Sequence, residues 1–147
     1  IDKAWLLTWL AHMETEGLPE VGNIPVLTAI TAQRPTAELR PGASKQTDED
    51  DLMPYTVLSR IEQLAIRDRK DPVTVYERLL ADDVAPSAQL KTWVARFFTL
   101  WSRNQWKRER YAPSFHLDDR NVDPKTWCRF PILSGGFAEE LDELMKR

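Results

Sequence analysis

The chain has 147 residues, 42% of them hydrophobic, which is enough for a domain with a real core. Its 20 basic and 23 acidic side chains leave a formal net charge of -3, so charge gives no global argument for nucleic acid or an anionic membrane surface. No apolar run approaches the roughly 20 residues that span a bilayer, no signal peptide opens the chain, and the single Cys128 excludes an internal disulfide. A cytoplasmic location is expected. The first residue is Ile1 rather than Met, and the pattern turns amphipathic at once, as expected of a piece of something longer. Residues 3–16 carry Trp5, Leu6, Trp9, Leu10 and Met13 at helical spacing, with Asp2 placed as N-cap and Gly17 as stop. Pro19, Gly22, Asn23 and Pro25 break the pattern before a short helical turn over 25–31. Residues 33–51 are the most loop-like stretch, with Pro35, Pro41, Gly42 and the acids 48–51.

A helix over 54–67 follows, its face made by Tyr55, Leu58, Ile61, Leu64 and Ala65. Asp71 and Pro72 then read as the N-cap and first residue of another, with Val75, Tyr76, Leu79 and Leu80 inward. Pro86 opens a longer helix running to about Arg108, its inward face Leu90, Trp93, Val94, Phe97, Phe98 and Trp101. Residues 111–136 read as extended, and a short helix over 137–145 closes the chain. The expected fold class is an all-α fragment with irregular loops. Six tryptophans are more than so small an interior readily hides, so some are expected to face a partner.

Three segments carry more than fold information. The first is Pro35-Thr36-Ala37-Glu38-Leu39, then Gln46-Thr47-Asp48-Glu49, then Tyr55. On physics alone it is a solvated loop followed by acids that favour a helix N-terminus. The second, Trp106-Lys107-Arg108, reads as a basic helix end complementing the macrodipole; with Arg103 and Arg110 it also resembles a small nucleic-acid patch, but no basic face accompanies it. The third, Asp2-Lys3-Ala4, reads as an ordinary first turn.

Taken together, in order and spacing, these segments resemble the NAD+ synthetases. In that family a Pro-Thr/Ser-Ala-Asp/Glu-Leu segment, a Gln-x-Asp-Glu segment and a Tyr belong to a loop over the active site. The family commonly has glycine before the Tyr, where this chain has Met53-Pro54. The tail, with Pro113-Ser114-Phe115-His116-Leu117-Asp118 and Asp123 to Pro131, resembles the extension of the longer, glutamine-dependent bacterial members. The resemblance implies ATP- and Mg²⁺-dependent amidation of deamido-NAD (nicotinic acid adenine dinucleotide) through an adenylated intermediate. It implies that Lys3 and Thr36 bind ATP and that Lys107 binds deamido-NAD. It also implies that these helices are the C-terminal part of an α/β Rossmann-like, adenine nucleotide alpha hydrolase-like domain. Residues 1–109 would be its helical region, with the loop at 33–51, and 110–147 the extension.

The family's Ser-Gly-Gly-x-Asp-Ser phosphate cradle is not matched. Ser134-Gly135-Gly136 begins like it, but Ala138 and Glu139 follow, so the glycines are read as a turn into the last helix. No catalytic residue and no metal ligand is therefore assigned, and the isolated chain is expected to be inactive without its N-terminal half and a glutaminase domain. Two isolated histidines and one cysteine give no zinc spacing, and Cys128 has no paired base. Homo-oligomers are expected, with no nucleic acid and no membrane as partner. The competing reading, from another class, is a helical dimerisation module without catalysis.

Overall fold

The structure, a computed structural model, describes residues 3–33, 35, 47–110, 123–125 and 128–147. The described residues form helices and irregular connections, with a single isolated bridge between Leu18 and Gly22 and no strand. The chain divides into two compact units, Ile1–Tyr55 and Thr56–Arg147.

In the first unit α1 runs over Lys3–Thr15 and ends where the spacing predicts. Gly17 has φ +72, the left-handed conformation that favours glycine, and its N–H returns to the His12 carbonyl at 2.9 Å. The chain folds back through a 3₁₀ turn, Pro25–Leu27, into α2, Thr28–Thr31, and both pack on α1. The Ile24 N–H donates to the Met13 carbonyl at 2.8 Å, joining the two arms of this hairpin. Glu14 links them again: its two carboxylate oxygens accept from the hydroxyls of Thr28 and Thr31.

Helical spacing in α1 does not mean a covered face. Of its five expected inward residues only Met13 is buried, while Trp5, Leu6 and Trp9 are exposed at 44%, 41% and 39%. The Trp5 and Trp9 rings stack on each other instead, 6.3 Å apart and 13° from parallel. The acids at the end of the expected loop are also more ordered than anticipated. Asp48–Asp51 form one helical turn, α3, because Thr47 and Asp50 cap it reciprocally: the Asp50 N–H donates to the Thr47 hydroxyl at 3.2 Å, and that hydroxyl to the Asp50 carboxylate at 2.6 Å.

The next helix, α4, spans Tyr55–Glu62 and continues as a single π-helical stretch, Gln63–Arg67. There the Asp68 N–H reaches back five residues to the Gln63 carbonyl at 3.0 Å. In the second unit this stretch packs on α5, Pro72–Ala81, which in turn packs on α6, Ser87–Arg103, and on the last helix, Ala138–Lys146. The core is Ile61, Leu64, Val75, Leu79, Leu90, Val94, Phe98 and Leu144, each at most 5% exposed. Leu80, expected inward, is 44% exposed. It follows Leu79 by about 100° around the helix, and a face that buries Leu79 completely turns Leu80 toward its edge.

Asp71 caps α5 as its sequence position predicts, accepting from the Thr74 N–H at 3.0 Å and the Thr74 hydroxyl at 2.6 Å. Burial pushes its carboxyl up, but the hydrogen bonds from Thr74 outweigh that and hold it below the usual carboxylate range. A depressed native pKa gives stability that is complete above the unfolded value and fades as pH falls through the native one. Asp71→Ala is therefore expected to cost about 1 kcal/mol at neutral pH. Denaturant titrations of both proteins should show that difference shrinking as pH falls below about 4.

Candidate functional site

Lys3 sits on the first turn of α1, exposed, with its ammonium 5.9 Å from the centre of the Tyr55 ring. The contact falls within the range of cation–π attraction. Tyr55 is itself positioned: the Glu49 carboxylate accepts its backbone N–H at 2.9 Å. Two segments of the compound motif, one near the acids and one opening α4, therefore meet in the first unit. Met53, where the family pattern has glycine nearby, is buried at 2% exposure. Thr36, the other expected ATP ligand, lies outside the described residues, as does Gln46.

Lys107 is in the second unit, and its setting differs from the single long helix expected to end there. The helix α6 stops at Arg103, Asn104 takes φ -98 and ψ 12, and a separate turn, α7, covers Gln105–Arg108. The cause is Arg108. The sequence reads it as part of a basic helix end complementing the macrodipole, but it is buried at 9% exposure. Its guanidinium donates to the Gln105 side-chain oxygen, Nε at 3.1 Å and Nη2 at 2.7 Å, and Nη2 also donates to the Trp101 carbonyl near the end of α6. Gln105 is fully buried and passes its own N–H to Glu109 at 3.0 Å. A buried charge is tolerated only with such partners. The signal available in the sequence was the Gln105–Arg108 spacing of three, which puts both on one face.

Because Arg108 faces inward, its neighbours face outward. Trp106 is 47% exposed, with the Lys107 ammonium 5.7 Å and the Arg110 guanidinium 5.9 Å from its ring centre. That combination, an exposed indole flanked by two cations, suits a ligand that joins a planar ring to negative charge. On α6, Trp101 packs against Phe97, Phe98, Phe130 and Phe137, with ring centres 5.3–5.9 Å away. Its indole N–H is buried without a well-placed acceptor, and the Cys128 sulfur nearby is a weak substitute. Burial pushes the Cys128 thiol up, and the Trp101 side chain and Arg108 charge do not overcome it. A thiol so placed is a poor nucleophile.

Ser134, Gly135 and Gly136 form a turn leading into the last helix, with the Gly136 N–H donating to the Ser134 hydroxyl at 2.9 Å. Among the described residues no helix is long and apolar enough to cross a membrane.

No family model matches the chain. Individual proteins do. The chain is 33% identical to the glutamine-dependent NAD(+) synthetase of Rattus norvegicus over 117 residues, covering 76% of this chain and 16% of that protein. It is 30% identical to the Xanthomonas campestris enzyme of the same name over 116 residues, covering 78% of this chain and 18% of that one. The crystal structure of a glutamine-dependent NAD(+) synthetase from Cytophaga hutchinsonii superposes on 98% of this chain with a TM-score of 0.73 and 43% identity. The chain belongs to the glutamine-dependent NAD+ synthetase family. The chain spans about one-sixth of the length of the curated synthetases it matches.

Proposed function

We propose that this chain is the C-terminal part of a synthetase that amidates deamido-NAD to NAD+, and that it needs the remainder of that protein to act. The observation that carries the reading is the 43% identity to a solved synthetase over nearly the whole chain, beside a match to only 21% of that structure's length. In this reaction the nicotinate carboxylate attacks the α-phosphorus of ATP and pyrophosphate leaves. Ammonia then adds to the acyl carbon of the adenylate, and AMP departs as the amide forms. The nitrogen comes from glutamine, hydrolysed in a separate glutaminase domain. These helices would complete a Rossmann-like α/β domain whose sheet lies in the remainder.

The work assigned to this chain is binding. Lys3 and Thr36 would serve the ATP phosphates, where charge accumulates as pyrophosphate departs. Lys107 would hold the anionic part of deamido-NAD, beside the exposed Trp106 ring. Mg²⁺ would offset phosphate charge. Among the described residues no three of His, Cys, Asp and Glu converge on one point, so none here is assigned to it.

The test compares this chain with the full-length gene product for NAD+ formation from ATP, deamido-NAD and either glutamine or ammonia. Activity is expected only in the full-length protein; none in either would overturn the reading. One observation favours a second reading, a helical dimerisation module: the exposed Trp5–Leu6–Trp9 face. Dimers of an intact protein that forms no NAD+ would support it.

A further inference from the structure

On the reading that Lys107 binds deamido-NAD, we propose that Gln105 is a positioning residue for it, acting through the buried Arg108. Lys107 lies between these two in α7, a turn too short to be stable by itself. Its direction is set from the interior. The fully buried Phe98 and Phe137 pack on the Trp101 ring, with centres 5.8 and 5.5 Å away, and fix the last turns of α6. The Trp101 carbonyl, which an unbroken helix would pair with the Gln105 N–H, takes the Arg108 guanidinium. The Gln105 side-chain oxygen takes the same guanidinium, at 3.1 Å from Nε and 2.7 Å from Nη2. On the other side the Lys107 N–H donates to the Asn104 carbonyl at 3.0 Å, where α6 has ended. The Lys107 backbone is thus held, while its ammonium stays exposed, 5.7 Å from the centre of the Trp106 ring.

Gln105 suits the task because an amide is both acceptor and donor. Its oxygen answers Arg108 and its N–H answers Glu109 at 3.0 Å, so one fully buried side chain orders a cation and an anion around the same turn. A carboxylate in its place would keep the bonds to Arg108, and an apolar side chain of similar length would keep none. Neither Gln105 nor Arg108 touches substrate in this account: both are buried, whereas Trp106 and Lys107 are exposed. Their effect passes through the direction of the Lys107 side chain, and so reaches deamido-NAD rather than ATP.

The experiment uses the full-length protein with Gln105→Met, Gln105→Glu, Lys107→Ala and the double variant Gln105→Met/Lys107→Ala, measuring KM for each substrate. Gln105→Met should raise KM for deamido-NAD about fivefold, with KM for ATP within about twofold. Gln105→Glu keeps an acceptor for Arg108 and should bring that KM back to within about twofold of the parent value. The double variant should be no worse than Lys107→Ala alone, as expected of a residue that acts only through Lys107. Loss of a buried partner lowers the thermal midpoint whatever its role, so the split between the two KM values decides. Should Gln105→Met fail to fold, Glu109→Ala, at an exposed position, removes the acceptor of the Gln105 amide. The same selective rise, about threefold, is expected of it. With Lys107→Ala selective for deamido-NAD, an unchanged KM in Gln105→Met or equal rises for both substrates would overturn the proposal and leave the synthetase reading intact. A double variant worse than Lys107→Ala would do the same. Equal effects of Lys107→Ala on both substrates would remove the assignment on which the proposal rests.

Discussion

In the full-length synthetase, Lys107→Ala should raise KM for deamido-NAD about tenfold or more, leave KM for ATP nearly unchanged and leave the thermal midpoint in place. Arg108→Ala, one residue on, should do something else: lower stability by about 3 kcal/mol. The contrast follows from burial. Lys107 is exposed, with its ammonium 5.7 Å from the centre of the Trp106 ring, so its removal strands no buried group among the described residues. Arg108 is buried, and its loss strands the Gln105 side-chain oxygen and the Trp101 carbonyl without donors. Steady-state kinetics and thermal melts on the two variants separate the roles. Equal effects of Lys107→Ala on both substrates would remove its assignment to deamido-NAD. A melt of Arg108→Ala matching the parent would mean that the buried network does not hold the end of α6.

The second large effect is expected at Gly17. A Cβ built there lies 1.8 Å from the Gly22 carbonyl oxygen and 2.5 Å from the Asn23 nitrogen, both backbone atoms. Side-chain rotation cannot relieve such a contact, and φ +72 is unfavourable for alanine in any case. Gly17→Ala should therefore cost about 4 kcal/mol or more, by opening the hairpin between α1 and α2. Hydrogen exchange would localise the loss to the amides of the first unit, such as that of Ile24, and protection there equal to the parent's would contradict it. If Lys3 serves ATP, the same change should weaken ATP binding in the intact enzyme.

Much of this architecture was legible from local chemistry. Asp71 and Pro72 announced the start of α5 because a cap and a missing N–H act within one turn, and Gly17 ended α1 for the same kind of reason. The limits of α2 and of the last helix were close to expectation too. What stayed hidden depended on tertiary partners. The break at Asn104 is imposed by Arg108 reaching back seven residues to the Trp101 carbonyl, which no propensity at Asn104 reveals. The period of Trp5, Leu6 and Trp9 correctly gave a helix, but periodicity cannot say whether anything lies against the face it defines. For the candidate site, Lys3, Thr36 and Lys107 were named through a family resemblance. Glu49, which holds the Tyr55 N–H, and Gln105, which holds Arg108, are ordinary polar side chains whose contacts only the fold reveals.

The π-helical stretch at Gln63–Arg67 has a consequence for how this region tolerates change in length. A helix there holds one residue more than an α-helical ladder would accept, and it does so with Leu64, Ala65 and Ile66 all buried. Deleting one of these five residues would supply the right number for a regular helix, so the backbone could close its hydrogen bonds without unfolding. The wider turn takes up the extra residue within one hydrogen-bonded ring, so the residues beyond it would keep nearly the same facing toward α5 after such a deletion. The surplus residue is local slack, and a relative one residue shorter here would need no compensating change in the loop at 68–70.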